Sequence, residues 1–362
     1  MKLKSILEKL VTFKTYEGNP SKVQEVANFY NYVIAHTPKK YKIKRVINDR
    51  SESLLIYSKS LKKPKVVLQS HIDVVPGNDS LFIPVTKQNK LIGRGVSDMK
   101  FAVACYIKLL DDLKDVDLDM AVWLTCDEEI GGTNGIKYLL NSYHGACEFC
   151  FLPDGVNEWG IVDKAKGVLH FSLKAYGKSA HGSQPWLGNN AIDEIIKAYQ
   201  DIKLNIIFKK TFTEDCWFNT INLGKIVGGE ATNSVAQYAE AFFDIRFINA
   251  ESYRRIISLI KKTVSKYHLE FKEVIVGPSY KVNRESFFIK ELDKQINYHK
   301  IVSQYKVDHG SSDARYFIKE GIPVVLFKPI CGGDHSENEW IDLDSLEIYY
   351  SILKKWLMNT AI

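Results

Sequence analysis

The chain has 362 residues, 45% hydrophobic and 25% charged, which is enough for two domains of ordinary globular composition. No run approaches the ~20 apolar residues that cross a bilayer as a helix. The net charge of +6 comes from lysines in scattered pairs, such as Lys62-Lys63 and Lys261-Lys262; these read as solvated faces and argue against nucleic acid as a partner.

Residues 1–13 are basic, but Glu8 and Lys9 interrupt their apolar pattern, so the segment predicts an amphipathic helix rather than a leader. Ser21-Lys22-Val23-Gln24 follows Asn19-Pro20 with capping-box spacing and predicts a helix over 21–35. Strands are expected at 41–47, 53–57 and 65–69. Gly93-Arg94-Gly95-Val96-Ser97-Asp98 is a glycine-rich turn feeding a helix over 100–112. An apolar run at 120–124 reads as a buried strand and ends in Thr125-Cys126-Asp127-Glu128-Glu129-Ile130-Gly131-Gly132. A helix through 136–140 follows. Strands alternating with helices predict an α/β sheet covered on both faces, whose ligands collect at the carboxyl ends of the strands.

There are six cysteines. Without a leader, an even count does not imply disulfides. Cys147 and Cys150 have the spacing of a zinc or redox pair, but no second pair exists, and 147–152 reads as a buried strand. The expected compartment is therefore reducing, that is, cytoplasmic.

The middle of the chain has a different rhythm. Leu169, Phe171, Leu173 and Ala175 alternate with polar residues, predicting a strand with one wet face. A helix over 190–202, strands over 218–226 and 239–247, a helix over 252–267 and a strand over 271–276 follow. The order β-α-β-β-α-β is that of a ferredoxin-like sandwich. Residues 321–327 read as one more buried strand of the first domain, so the sandwich is an insertion.

Two carboxylates side by side at a buried strand end repel each other and lose water. Bound cations would offset that cost. His71, Asp73, Asp98, Asp154 and His335 also lie near strand ends or glycine-rich turns. Each has an ordinary reading when taken alone: His71 as a core histidine, Asp98 as a helix cap, Asp154 as a turn aspartate, His335 as a loop residue. Together they form a nitrogen and oxygen ligand set suited to zinc, cobalt or manganese. An imidazole ligand commonly donates its other N–H to a carboxylate, which suits His71 with Asp73. A spare glutamate can take a proton from water and pass it to a leaving amine.

Here the chain resembles the dinuclear zinc peptidases and amidohydrolases, which include acetylornithine deacetylase, succinyl-diaminopimelate desuccinylase, aminoacylase, bacterial glutamate carboxypeptidase, and di- and tripeptidases. Ser70-His71-Ile72-Asp73-Val74-Val75-Pro76, Gly93-Arg94-Gly95-Val96-Ser97-Asp98-Met99-Lys100 and Asp127-Glu128-Glu129 carry the resemblance, which extends over essentially the whole chain. It implies a catalytic domain over 1–165 and 277–362, a mixed sheet flanked by helices, and a lid and dimerisation domain over 166–276. Two divalent ions, most simply zinc, are implied: Asp98 bridges them, His71 and Asp154 complete one site, and Glu129 and His335 the other. Glu128 is the implied base and Asp73 the orienter of His71. A cis peptide after Asp98 is also implied.

Ser179-Ala180-His181-Gly182-Ser183-Gln184-Pro185 and Gly188-Asn189-Asn190-Ala191-Ile192 match the lid's signature, with Gly182 where alanine is usual. The resemblance assigns His181 to the oxyanion, in the partner's active site of a homodimer. It assigns Asn222 and Arg246 to the substrate's carboxylate; the ordinary reading of Arg246 is a strand arginine paired with a surface acid. Gly310-Ser311-Ser312-Asp313-Ala314-Arg315 matches a turn near the substrate, with no role assigned.

The expected activity is hydrolysis of an amide bond in a small peptide. Within the resembled family and its relatives, peptidases that need a free amino end tend to have aspartate at the position of Asp154, whereas deacylases and carboxypeptidases tend to have glutamate there. The second reading is an N-acyl-amino-acid deacylase. A third, from another class, is a metal- and peptide-binding module without catalysis, against which stands the presence of Glu128 and every ligand.

Overall fold

The computed structural model describes residues 2–143, 147–208 and 217–362; Met1 and Cys216 lie outside them. The chain divides into two compact units. Met1–Asp163, Lys281–Asp308 and Ser312–Ile362 form one; Lys164–Tyr280 with His309–Ser311 form the other.

The first unit is built on a six-stranded sheet. Its centre is the parallel set Met120–Thr125, Val66–His71, Phe149–Phe151 and Val324–Val325, in that order. Ser51–Tyr57 pairs antiparallel with Met120–Thr125, and Lys42–Asn48 forms the edge. Every residue of Val66–His71, Met120–Thr125 and Phe149–Phe151 is buried, so these strands need cover on both faces. The Lys100–Asp112 helix buries ten of its residues, Lys100 to Leu110 with Lys108 alone left out. Leu3–Val11 is amphipathic and buries Leu3, Ile6, Leu7, Leu10 and Val11.

One local expectation fails. The Lys22–Ala35 helix forms, but the Ser21 side chain makes no capping bond. The preceding Asn19 takes over: its carbonyl accepts the Lys22 N–H and its Oδ1 the Ser21 N–H, each at 3.0 Å. Gln24, the other half of the expected box, donates instead to Asn28 at 2.9 Å.

Among its described residues, the second unit has four antiparallel strands in the order Thr220–Gly228, Tyr238–Phe247, Gly167–Tyr176, Glu270–Gly277. With the helices Ala191–Lys203 and Ala250–Tyr267, this is the strand order of a ferredoxin-like sandwich. Alternation sets its core: Leu169, Phe171 and Leu173 of one strand share a face with Ala241, Phe243 and Ile245 of the next. Ile195, Ala198, Ile256 and Ile260 of the helices close it. Phe171 and Phe243, paired in register, stack at 4.7 Å. Among the described residues no helix is long and apolar enough to cross a membrane.

Candidate metal centre

The carboxyl ends of the central strands supply most of the site. His71 is the last residue of Val66–His71, Glu128 and Glu129 follow Met120–Thr125, and Asp154 follows Phe149–Phe151. A small sheet adds His335, which lies in the loop between Cys331–Gly332 and Trp340–Asp342. His335 takes a left-handed backbone, φ 64°, an uncommon conformation outside glycine. Asp98 comes from the glycine-rich turn and is followed by a cis peptide to Met99, as the resemblance implied. Gly95 in that turn has φ +83°, and a Cβ there would press on Lys100 and Val74 at 2.9 Å; only glycine fits.

Two groups of ligand atoms share Asp98: His71, Asp98 and Asp154 in one, and Asp98, Glu129 and His335 in the other. Within each, all atoms lie within 4.8 Å of one another. His71 Nε2 is 3.1 Å from Asp98 Oδ1, and His335 Nε2 is 3.0 Å from Asp98 Oδ2 and 3.3 Å from Glu129 Oε2. The orienter of His71 differs from expectation in detail. His71 Nδ1 lies 3.0 Å from the backbone carbonyl of Asp73, while the Asp73 carboxylate sits 3.5 Å away. That carboxylate accepts the Glu129 N–H at 3.0 Å, so it ties the two strand ends together.

A carbonyl at Nδ1 requires an Nδ1–H, which leaves the Nε2 lone pair facing the Asp98 carboxylate. Two acceptors held at 3.1 Å need a cation, or an extra proton, between them. Donors around a zinc at about 2.0–2.1 Å stand roughly 3.3 Å apart in a tetrahedron, which matches these separations. Glu129 Oε1 is also buried, with no hydrogen-bond partner among the described residues. The donor set therefore fits a pair of divalent ions.

The electrostatics agree. Burial raises the Asp98 carboxyl, but the hydrogen bonds of His335 and His71 hold it well below the usual range. Contacts with Asp98 and then Glu129 lift His335 to about 10. Burial and the neighbouring Asp98 push Asp154 up to about 7. Burial, then repulsion from Asp154 and Asp313, lifts Glu128 well above an ordinary glutamate. Carboxylates crowded in this way are the environment that bound cations relieve.

Sequence reasoning missed the frame behind the ligands. Buried Glu339 accepts the N–H groups of Gly95, Ser97 and Asp98 at 2.9–3.1 Å and pairs with Arg94 at 3.0 Å. Asp334 accepts from the Ser97 hydroxyl and from the Lys328 ammonium, 3.3 Å away and buried. Asp127 accepts the Asn134 and Gly135 N–H groups at 2.8 and 2.9 Å, shaping the turn after Glu129. In the sequence Glu339 is marked only by its place, with Glu337, in the acidic loop after His335.

The three remaining candidates belong to the second unit. His181 is exposed, with Nδ1 2.7 Å from Ser183 Oγ. Asn222 is exposed on Thr220–Gly228, in register with Asp244. Arg246 is engaged by Asp244 through two bonds of 2.8 and 3.0 Å, the ordinary pairing of a strand arginine.

Histidines and carboxylates gathered around one shared aspartate, several of them at parallel strand ends, form a ligand set of the kind that metal-dependent hydrolases use. The chain belongs to peptidase family M20/M25/M40, whose pattern matches residues 67–359. The succinyl-diaminopimelate desuccinylase of Pelagibacter ubique is 29% identical over 324 residues, 81% of this chain and 83% of that protein. Its counterpart in Rickettsia bellii is 27% identical over 325 residues, 82% of each chain. A tripeptidase from Staphylococcus aureus shares the fold with a TM-score of 0.77 at 22% identity, covering 99% of this chain and 98% of its own. The metallo-carboxypeptidase Sso-CP2 of Sulfolobus solfataricus does so at 0.78 and 17%, covering 99% of both.

Proposed function

We propose that the chain is an exopeptidase that hydrolyses the amide bond of a small peptide. The sharing of Asp98 between two ligand groups, with Glu128 beside them, carries the reading. His71, Asp98 and Asp154 would hold one ion, and Asp98, Glu129 and His335 the other, zinc first and cobalt or manganese as substitutes. Such ions supply Lewis-acid polarisation of the scissile carbonyl and of the attacking water. Glu128 takes the proton of that water and delivers it to the leaving amine. Asp73 fixes His71 through its carbonyl and Glu129 through its carboxylate.

From the second unit, His181 would stabilise the tetrahedral oxyanion, acting from a partner subunit of a homodimer. Asn222 and Arg246 would bind the substrate's carboxylate, for which Arg246 must exchange Asp244 for the substrate. The five described cysteines are buried and unpaired, which fits a reducing, cytoplasmic setting.

Asp154 supports a peptidase that reads a free amino end. The curated relatives support a second reading, deacylation of an N-acyl amino acid, because they are named as desuccinylases. A panel with added Zn2+ or Co2+ separates the two: the dipeptides Ala-Ala and Leu-Gly, the tripeptide Ala-Ala-Ala, N-acetyl-ornithine and N-succinyl-diaminopimelate. Fastest turnover of a free-amino peptide supports the first reading. Preference for an acylated substrate overturns it in favour of the second.

A further inference from the structure

Arg315 does not belong to the ligand set, yet it stands against the turn that carries Glu128. It lies on the short Ala314–Lys319 helix and is 7% exposed. Its Nη1 donates to the Ser312 carbonyl at 2.9 Å and its Nη2 to the Gly131 carbonyl at 2.8 Å. The same Nη1 is 3.9 Å from Glu128 Oε1. The Tyr316 hydroxyl donates to the same Gly131 carbonyl at 2.6 Å. Behind this turn, a Cβ on Gly132 would collide with Asp313 Oδ1.

The turn needs such a clamp. Glu128 opens a single three-residue 3₁₀ turn, Glu128–Ile130, followed by two left-handed glycines, Gly131 at φ 106° and Gly132 at φ 63°. Glycine pairs leave the backbone free to swing. A general base must stay within hydrogen-bond reach of the proton it moves, and a displacement near 1 Å costs roughly 10²-fold. A separation of 3.9 Å is too long for a hydrogen bond. The guanidinium therefore steers the carboxylate without occupying the oxygens that must take the proton.

We propose that Arg315 is the positioning residue of Glu128: its fork ties the Glu128 turn to the Ala314–Lys319 helix and sets the carboxylate for proton transfer. This rests on the reading of Glu128 as the proton carrier. An arginine is required because one planar fork reaches two carbonyls, which a lysine ammonium does not.

A double-mutant cycle on the full-length, Zn2+-loaded enzyme tests it, using the fastest substrate of the panel above. Arg315→Gln should lower kcat roughly 10- to 100-fold, with KM and the Zn2+ dissociation constant within about twofold of wild type. In a Glu128→Gln background the same substitution should change the residual kcat less than about twofold, since the group being positioned is gone. Equal loss in both backgrounds, or loss of Zn2+ affinity alongside kcat, overturns the proposal and makes Arg315 a support of the fold or of the metals. Should Arg315→Gln fold poorly, Arg315→Lys keeps charge and bulk: a kcat at least about fivefold down with an unchanged Tm supports the proposal, and wild-type kcat overturns it. Wild-type kcat in Glu128→Gln alone removes the base assignment and this inference with it. A failed cycle beside an inactive Glu128→Gln removes this inference only.

Discussion

Glu339 Oε1 accepts the backbone N–H of Asp98 at 3.1 Å, although 241 positions separate them in the chain. With the Ser97 and Gly95 N–H groups and Arg94, the carboxylate is matched by four donors. It presets the loop that presents the shared ligand. Glu339→Gln keeps the shape but turns an NH2 toward these donors. Supports behind metal ligands typically contribute 10- to 100-fold in affinity, and a buried pair broken on one side costs about 3–5 kcal/mol. Zn2+ competition against a chromogenic chelator should show affinity falling at least about tenfold, together with a lower Tm. A lower Tm at unchanged affinity would mean that Glu339 serves the fold alone.

Removal of the ions should abolish turnover, and zinc or cobalt should restore it. Glu128→Gln should lose at least ~10² in kcat while still binding Zn2+. His71→Ala should lose Zn2+ instead, because His71 lies in a ligand group and Glu128 in neither. Calorimetric Zn2+ titration of both variants separates the roles; Zn2+ binding lost in Glu128→Gln and kept in His71→Ala would reverse the assignment.

What could be read in advance was what repeats locally. Period-two apolar residues place Leu169, Phe171 and Leu173 on one face, and the structure buries all three. Apolar runs mark the strands that end at His71, Thr125 and Phe151, and the ligands follow those ends. Contacts made across long sequence distances leave no such trace. Glu339 looks like one acid in an acidic loop until folding brings it to Gly95, Ser97 and Asp98. Arg315 sat in a recognised turn, but its tie to Gly131 spans 184 positions. The capping box at Ser21 failed for a local reason: Asn19 Oδ1 takes the Ser21 N–H that Gln24 would have accepted, and spacing alone does not rank the two.

Acid sensitivity should include a contribution from Asp112. It accepts from the Tyr350 hydroxyl at 2.7 Å, Lys354 at 3.1 Å and Lys108 at 3.2 Å, tying the Leu343–Thr360 helix to Lys100–Asp112. Burial raises this carboxyl, but those bonds hold it down at about 2 against an ordinary 3.8. A depressed carboxylate stabilises the fold fully above the unfolded value and loses that effect as pH falls through the folded one. With partial screening at 26% exposure, the contribution is on the order of 1–2 kcal/mol. Urea unfolding should show Asp112→Asn less stable than wild type at pH 7, with the gap closing between about pH 4 and pH 2. A gap that stays constant with pH would remove the ionic explanation.

The second unit leaves apolar surface open. Trp186 is 73% exposed, Leu187 54%, Val227 43% and Ile226 42%. The last two lie on Thr220–Gly228, an edge strand of its sheet. Open edges and exposed apolar side chains mark association sites, and a two-fold pairing of identical surfaces is the commonest arrangement. On the proposed homodimer, His181 of one subunit serves the metal centre of the other. His181→Ala and Glu128→Ala should then each be nearly inactive alone. Mixed in equal amounts and allowed to exchange subunits, half of the dimers are hybrids. In each hybrid one of the two sites combines an intact Glu128 with an intact His181 from its partner. About a quarter of wild-type activity should return, if sites act independently. Mass spectrometry of differently tagged subunits establishes the exchange; activity that stays at the level of the single variants after exchange would show that His181 acts within its own subunit or takes no part.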